Sequence, residues 1–371
     1  MFPIILDTEA DCLADEFLLL GYVGTIVVAA LLIVLAVRRK WHIREAHNVL
    51  MNEEKMKSFT SYMFHVMEEL ELEERFGTLH VYRYALRAFT GFVGGGEIFF
   101  GALSRRSLKL FERHLRDRLC SWNTVSTYTR ALRAVYNRAV DAGLIAGEYR
   151  LFSVVFTGVK SEQKRALKAE EMHCLLDAKE LPGNIRQSRD LLSLMLHLQG
   201  MPFTDLIHLH RDDLRTDLSG HTLLTCRRQK TGSELQVSVT DEAMKLINLY
   251  RSTDPTSPYL LCFLDGKLGG EVVYREYCRQ LRILNYGLLK LASYSGLKVL
   301  KVSSYTARHT WATLAKYCQI PEEMISEGLG HSSLEVTRTY LKSFEGGEMA
   351  KANQMIIDYI YSGKKTMWSR A

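Results

Sequence analysis

Three side chains in one short stretch of this chain could do chemistry together. Within residues 303–344 (SSYTARHTWATLAKYCQIPEEMISEGLGHSSLEVTRTYLKSF), Arg308 lies early on a helical segment and His331 follows a Leu329-Gly330 turn, with Tyr340 nine residues beyond it. Phosphodiester cleavage without a metal needs a nucleophile that stays attached, cationic donors on the non-bridging oxygens, and an acid for the leaving alkoxide. Tyrosine suits the first role, because an aryl phosphodiester stores the energy of the broken bond and rejoining then needs no ATP. Arginine suits the second, since its planar fork matches two phosphate oxygens. Lysine or histidine can supply the proton. Singly, each residue has a bland reading: a tyrosine near a helix end is usually core, and a histidine after glycine is usually a cap. Their joint order and spacing point to phosphoryl transfer.

The elements that must position them are mostly helical. Residues 56–76 form one amphipathic stretch, and a helix over 78–92 has Thr78 as its N-cap and Gly91 near its end. Gly94-Gly95-Gly96 lacks a strand before it and reads as a flexible turn, not a dinucleotide loop. Helices follow near 104–119 and over 124–142, the latter closed by Gly143. On that fourth helix Arg130, Arg133 and Arg138 recur near helical spacing, with Tyr128 and Tyr136 interleaved. Such a stripe is either a solvated face or a helix laid along a phosphate backbone. Residues 150–165 turn irregular, with Lys160, Lys164 and Arg165 near the end, and read as an interdomain linker running close to DNA.

The second half opens with helices from 168 and over 185–198. Two β-prone runs, 221–227 and 234–239, are joined by Gln229-Lys230-Thr231-Gly232, where Gly232 suits a hairpin turn. Helices over 271–293, 303–317, 321–327, 334–340 and 347–360 complete it. In the last of these Met349, Ala352, Met355, Ile356, Tyr359 and Ile360 form an apolar stripe, suited to packing on its own domain or on a neighbouring protomer. The expected class is therefore mainly α with a small antiparallel sheet, in two domains over 56–150 and 166–360 with 151–165 between them.

Bulk properties agree. At 371 residues, 47% hydrophobic and 24% charged, the chain can fill two ordinary cores. A formal charge of +6 is compatible with a nucleic-acid partner. The seven cysteines are scattered without a CxxC pair, so they read as reduced thiols and not as a zinc site or disulfide framework. His197, His208 and His210 invite a metal reading, but no carboxylate or cysteine spacing supports one, and neither metal nor cofactor is expected.

The N-terminus departs from this picture. Residues 18–37 (LLLGYVGTIVVAALLIVLAV) carry no charge, acidic residues precede them, and Arg38, Arg39, Lys40 and Arg44 follow. That is the length and charge order of an uncleaved transmembrane helix after a 1–17 tail, with the basic flank and all that follows on the cytoplasmic face. Met51 and Met56 offer a downstream start, ahead of which residues 38–55 act only as a linker; a protein begun there would lack the membrane segment and be cytoplasmic.

The 303–344 segment resembles the catalytic signature of the tyrosine recombinase/phage integrase family, HxxRH…LGH…Y. Arg308-His309 matches its RH, Leu329-Gly330-His331 its LGH, and Tyr340 its nucleophile. Residues 181–213 resemble the family's earlier box, and the Gln229–Gly232 turn resembles the one that holds its catalytic lysine. The resemblance runs over 56–360 and implies a four-helix, SAM-like core-binding domain followed by a DNA breaking-rejoining catalytic domain, with 361–371 as a tail. It implies Tyr340 as nucleophile, Arg308 as a phosphate clamp, Lys230 as general acid, His331 as a phosphate hydrogen bond, and His309 as a group that packs against or orients Arg308. It also implies double-stranded DNA as partner, a homotetramer on two sites, and a Holliday junction intermediate.

Two positions depart from the family pattern. Tyr305 stands where its first histidine belongs, and a phenol can still hydrogen-bond a phosphate oxygen. Pro202 stands where its first catalytic arginine belongs, and proline offers no donor. Gln199, Arg211 and Arg215 are the replacements local in sequence, Gln199 favoured because it would face the same way as Pro202 if the backbone there were helical. Two rival readings follow: a catalytically weak, recombinase-derived DNA-binding protein, possibly on a membrane, or a relative with the same phosphotyrosyl chemistry such as a telomere resolvase or type IB topoisomerase.

Overall fold

The computed structural model describes residues 58–160, 166–218, 221–297, 302–331 and 333–341. The expected membrane segment at 18–37 and the apolar stripe beyond 347 lie outside them. Among the described residues no helix is long and apolar enough to cross a membrane. The chain divides into two units between Lys160 and Ser161.

Among its described residues the first unit holds four α-helices: α1 (Phe59–Leu72), α2 (Phe76–Val93), α3 (Arg105–Asp117) and α4 (Trp122–Asp141). Phe59, Tyr62, Met63, Val66, Met67 and Leu70 recur at three- and four-residue steps on α1, and all are buried. Phe89 packs edge-on against Phe59 and Phe111, with ring centroids 6.3 and 5.1 Å apart, tying α1, α2 and α3 together. The stretch expected to be continuous over 56–76 breaks after Leu72, where Glu74 takes a left-handed φ of 55°. α2 ends on Gly94 at φ 93°, a glycine C-terminus.

The expected linker begins later than position 151. Residues Leu151–Val154 form a 3-10 turn, and Leu151, Phe152 and Val155 are buried in the first unit's core. Buried Glu112 accepts a hydrogen bond from the Phe156 amide at 2.6 Å, fastening the exit segment to α3. The apolar residues in that segment outweigh its irregular local sequence.

In the second unit the helices are α5 (Ala169–Leu176), α6 (Gly183–His197), α7 (Phe203–Ile207), α8 (Asp241–Leu249), α9 (Gly270–Tyr294), α10 (Ser304–Tyr317), α11 (Glu322–Gly328) and α12 (Leu334–Tyr340). Helix α6 is the central post, with Leu191, Leu192, Leu194 and Met195 buried and α8, α9 and α10 packed around it. Strands β1 (Leu214–Thr216), β2 (Thr222–Arg227) and β3 (Glu234–Ser238) form an antiparallel meander, β1-β2-β3. Arg227 pairs with Glu234, and the intervening turn closes with the Gly232 amide on the Arg228 carbonyl at 2.8 Å. Gly232 sits at φ 67°, the conformation the hairpin needs. A small cluster of Ala312, Ile325, Leu329 and Leu341 locks α10, α11 and the end of α12 together.

Candidate active site

The site is built around the C-terminus of α11. There the Gly330 amide donates to Glu327 O at 2.7 Å and the His331 amide to Ser326 O at 3.0 Å, with Gly330 at φ 61°. These paired bonds form a Schellman motif, and Leu329-Gly330-His331 is its sequence. The motif leaves the carbonyls of Leu329 and Gly330 as acceptors at the negative end of a helix, and cations fill them.

Arg308, on the second turn of α10, is 2% exposed. Its Nη2 donates to Leu329 O at 2.5 Å and to His331 Nε2 at 2.8 Å, and its Nη1 donates to Gly200 O at 3.2 Å. Its buried Nε has no hydrogen-bond partner, which leaves a donor for an anion. Gly200 lies at φ 68°, and a Cβ there would come within 3.0 Å of the Arg308 Cα, so helix α10 approaches this loop only because the residue is glycine.

A second guanidinium enters the same site. Arg228, one residue past β2 and 8% exposed, donates from Nη1 to Leu329 O and Gly330 O, both at 3.0 Å. Its Nε reaches Asp205 Oδ2 at 3.2 Å, while Asp205 Oδ1 accepts the Gln229 amide at 2.9 Å. Asp205 on α7 is 3% exposed, so one buried carboxylate holds both Arg228 and the start of the hairpin turn. A Cβ on Gly330 would stand 2.7 Å from Arg228 Cδ, a second reason for glycine there. Burial first, and Arg228 second, push the Arg308 pKa down to about 10, still high enough to keep it charged at neutral pH.

Tyr340 completes the arrangement. Its ring stacks on His331 at 5.1 Å and 28° and lies beside His309 at 4.7 Å and 36°. The Arg308 guanidinium carbon is 5.5 Å from the ring centroid. Thr313 Oγ1 donates to Tyr340 O at 3.5 Å, and buried Leu341 anchors the chain just beyond. His331 is held neutral, its pKa lowered to about 4 by burial and by the nearby Arg308 and Arg228. Tyr305 lines a cavity with Pro202 and Arg308. Its ring is 47% exposed, but desolvation, aided by Tyr340, raises its pKa.

The structure thus brings Arg308, His331, Tyr340 and Tyr305 together. Lys230 sits exposed at the hairpin tip, two residues from Arg228, and Ser233 Oγ docks that tip on Gly330 O at 3.2 Å. Of the three expected replacements for the missing arginine, the two arginines are engaged or exposed elsewhere. Arg211 is bound to the carbonyls of Ser252, Asp254 and Ser257 at 2.9, 2.7 and 2.9 Å. Arg215 is exposed, with Nε 3.4 Å from Asp212 O. Gln199 is not helical: α6 has ended, and Gln199 takes a left-handed φ of 57°. Its buried Oε1, without a hydrogen-bond partner, faces Gly328, where a Cβ would meet it at 3.3 Å.

Arg228 was the residue that sequence reasoning missed, and a signal for it was present. Leu224 and Cys226 point inward on β2, so the period-two alternation carries Arg228 inward as well. In the first unit, Arg130 on α4 is exposed and Arg133 Nη1 lies 3.5 Å from Thr157 Oγ1. Arg138 is committed to an ion pair with Glu69, and Tyr136 is buried, its hydroxyl accepting from the Glu148 amide at 2.9 Å. Lys160 is exposed, its backbone bonded to the Asn123 side chain, and Lys164 and Arg165 lie outside the described residues.

Comparison with known proteins places this geometry. A family model for the phage integrase SAM-like domain matches residues 58–151, and one for the phage integrase family matches residues 165–346. The tyrosine recombinase XerA of Pyrococcus furiosus is 25% identical over 303 residues, covering 79% of this chain and 90% of XerA. Among solved structures, the Tn1549 transposon integrase in complex with a circular intermediate DNA is 14% identical with a TM-score of 0.55, covering 81% of this chain and 99% of that one. The XerH site-specific recombinase bound to a palindromic difH substrate is 18% identical with a TM-score of 0.51, covering 68% and 70% of the two chains. At these identities the solved structures speak for the fold, while the sequence matches span both described units: the chain belongs to the phage integrase family of tyrosine recombinases.

Proposed function

We propose that this protein cleaves and rejoins duplex DNA at specific sites through a 3'-phosphotyrosyl link to Tyr340. The observation that carries the reading is the meeting of Tyr340 with two buried guanidiniums, Arg308 and Arg228, around one helix terminus. A phosphate entering there would draw both forks from neutral carbonyls onto its non-bridging oxygens, a stronger charge-assisted contact. Tyr340 Oη would attack phosphorus, and Lys230 would protonate the departing 5' oxygen as the hairpin tip closes on the DNA. Tyr305 would supply a further hydrogen bond to a phosphate oxygen, while His331, in place of the expected phosphate contact, would hold Arg308 and Tyr340 in position. With the positive charge drawn from protein side chains, the step needs no divalent metal.

Arg228 takes the part of the arginine that Pro202 displaces. The weak-activity alternative rests on a missing positive charge, and the buried Arg228 guanidinium, which shares the Leu329 carbonyl with Arg308, would supply one. DNA as the partner is supported by the solved relatives, including a lambda integrase dimer bound to a core site at 16% identity and a TM-score of 0.50. Exposed Arg130 and Lys160 on the first unit and Lys164 and Arg165 in the connecting segment are the proposed backbone contacts, with Arg133 beside them and Arg138 engaged with Glu69. Exchange between two duplexes cuts four strands, one tyrosine for each, so the active assembly is a homotetramer.

The test is incubation with nicked suicide duplexes made from the DNA flanking the coding sequence. A covalent protein–DNA adduct, formed with EDTA present, is expected. Binding with no adduct under any metal condition would favour the binding-protein reading.

A further inference from the structure

Helix α12 carries Tyr340 on a surface turn. Val336 is exposed, as are Arg338 and Thr339, and Thr337 is the one residue of the helix that is buried, at 0% exposure. Packing alone would favour valine there, which has the same shape and no hydroxyl to desolvate. The hydroxyl has a partner: Thr337 Oγ1 lies 2.8 Å from His331 Nδ1. On the other side of the ring, His331 Nε2 lies 2.8 Å from Arg308 Nη2.

The direction of both bonds follows from donor chemistry. A guanidinium can only donate, so Nε2 must be the accepting nitrogen. A neutral imidazole carries one proton, which therefore sits on Nδ1 and is donated to Thr337 Oγ1. The chain runs from Arg308 to His331 and from His331 to Thr337, and each link fixes the next.

We infer that Thr337 is a positioning residue that accepts the Nδ1–H of His331, whose tautomer Arg308 sets, and so holds the ring stacked on Tyr340. This rests on the reading of the site given above, but it concerns His331 itself and has its own readout. The ring so held stacks on Tyr340 and stops the nucleophile's ring from turning away from Arg308. Without the hydroxyl, Arg308 still requires an accepting Nε2, so the Nδ1–H is left without its partner and the imidazole loses its anchor on that side.

The experiment pairs Thr337→Val with Thr337→Ser in the full chain. Imidazole nitrogen resonances of His331, assigned by comparison with His331→Gln, report the tautomer without DNA. Single-turnover cleavage of a suicide duplex reports the consequence. Thr337→Val is expected to shift the His331 Nδ1–H resonance to that of an unbonded group and to slow cleavage by about 10- to 100-fold, the usual effect of losing a group that orients a functional histidine. Thr337→Ser should keep the Nδ1–H form and most of the rate. A Val variant whose His331 resonances match wild type would overturn the inference, as would a Ser variant as slow as Val, since the methyl group would then be what matters. Shifted His331 resonances in Thr337→Val alongside a wild-type protein that never cleaves would uphold the positioning role and reject the reaction instead.

Discussion

Arg228 and Arg308 share one acceptor, the carbonyl oxygen of Leu329, at 3.0 and 2.5 Å. Two like charges held this close repel, and the depressed pKa of Arg308 records part of that repulsion. Among the described residues one buried carboxylate, Asp205, pairs with Arg228 to offset it. Such a site is short of negative charge until an anion arrives, which is the state a phosphate-binding pocket should rest in.

Arg228→Ala is expected to slow single-turnover cleavage by about 10²–10³-fold, the scale of losing one charge-assisted donor to a developing oxyanion. Duplex affinity should change little, because phosphate contacts along the backbone supply most of it. Arg228→Lys should fall between, keeping the charge but losing the fork. A rate unchanged in Arg228→Ala would remove Arg228 from the mechanism. In that background Pro202→Arg tests whether position 202, which lines the cavity with Arg308, can take the charge back. Partial recovery is expected.

Asp205→Ala leaves Arg228 buried without its carboxylate and frees the Gln229 amide. Breaking one side of a buried pair destabilises by about 3–5 kcal/mol. Urea melts of the variant and of the double variant Asp205→Ala/Arg228→Met should separate the two effects. The double variant, with no orphaned charge, should be the more stable of the two.

Gly330→Ala combines a left-handed φ of 61° with a Cβ 2.7 Å from Arg228 Cδ. The conformation alone costs about 1–2 kcal/mol. Gly143→Ala, just past α4, meets the same kind of φ, 73°, in open space and outside the site, and serves as the control. Both should lower the melting temperature, while Gly330→Ala alone should also lower the cleavage rate by displacing Arg228.

His331 stays neutral in the folded protein down to a pH of about 4, whereas in the unfolded chain its imidazole takes up a proton near 6.5. Between those values the unfolded state binds the extra proton. The stability His331 allows is therefore present above about pH 6.5 and is lost as the pH falls toward 4. Denaturant melts from pH 7 to pH 5 should show wild type losing stability faster than His331→Gln; parallel curves would contradict the assignment.

Much of this site was legible before any coordinates, because its parts are local motifs. Leu329-Gly330-His331 is a helix terminus written in three residues, and Gln229–Gly232 is a turn between alternating strands. The membership of Arg308 and Tyr340 followed from their spacing to that motif. Arg228 was not singled out because it sits in a charged run, Arg227-Arg228-Gln229-Lys230, that looks solvated. Only its phase with buried Leu224 and Cys226 distinguishes it from exposed Arg227. The helical backbone expected at Gln199 is absent for the opposite reason: α6 ends at His197, and Gln199-Gly200 form a left-handed pair that re-aims the chain. Likewise Arg138 looked like part of a basic stripe, but Glu69 lies far from it in sequence and the ion pair appears only once α1 meets α4.

The central claim is that Tyr340 becomes covalently joined to DNA, and mapping the adduct tests it most directly. Protein trapped on a nicked suicide duplex is digested with nuclease and protease, and the nucleotide-bearing peptide is sequenced by mass spectrometry. The account predicts one modified peptide, carrying its nucleotide on Tyr340, and no adduct from Tyr340→Phe despite near-normal duplex binding. A nucleotide on any other residue, or an adduct that persists in Tyr340→Phe, would contradict it.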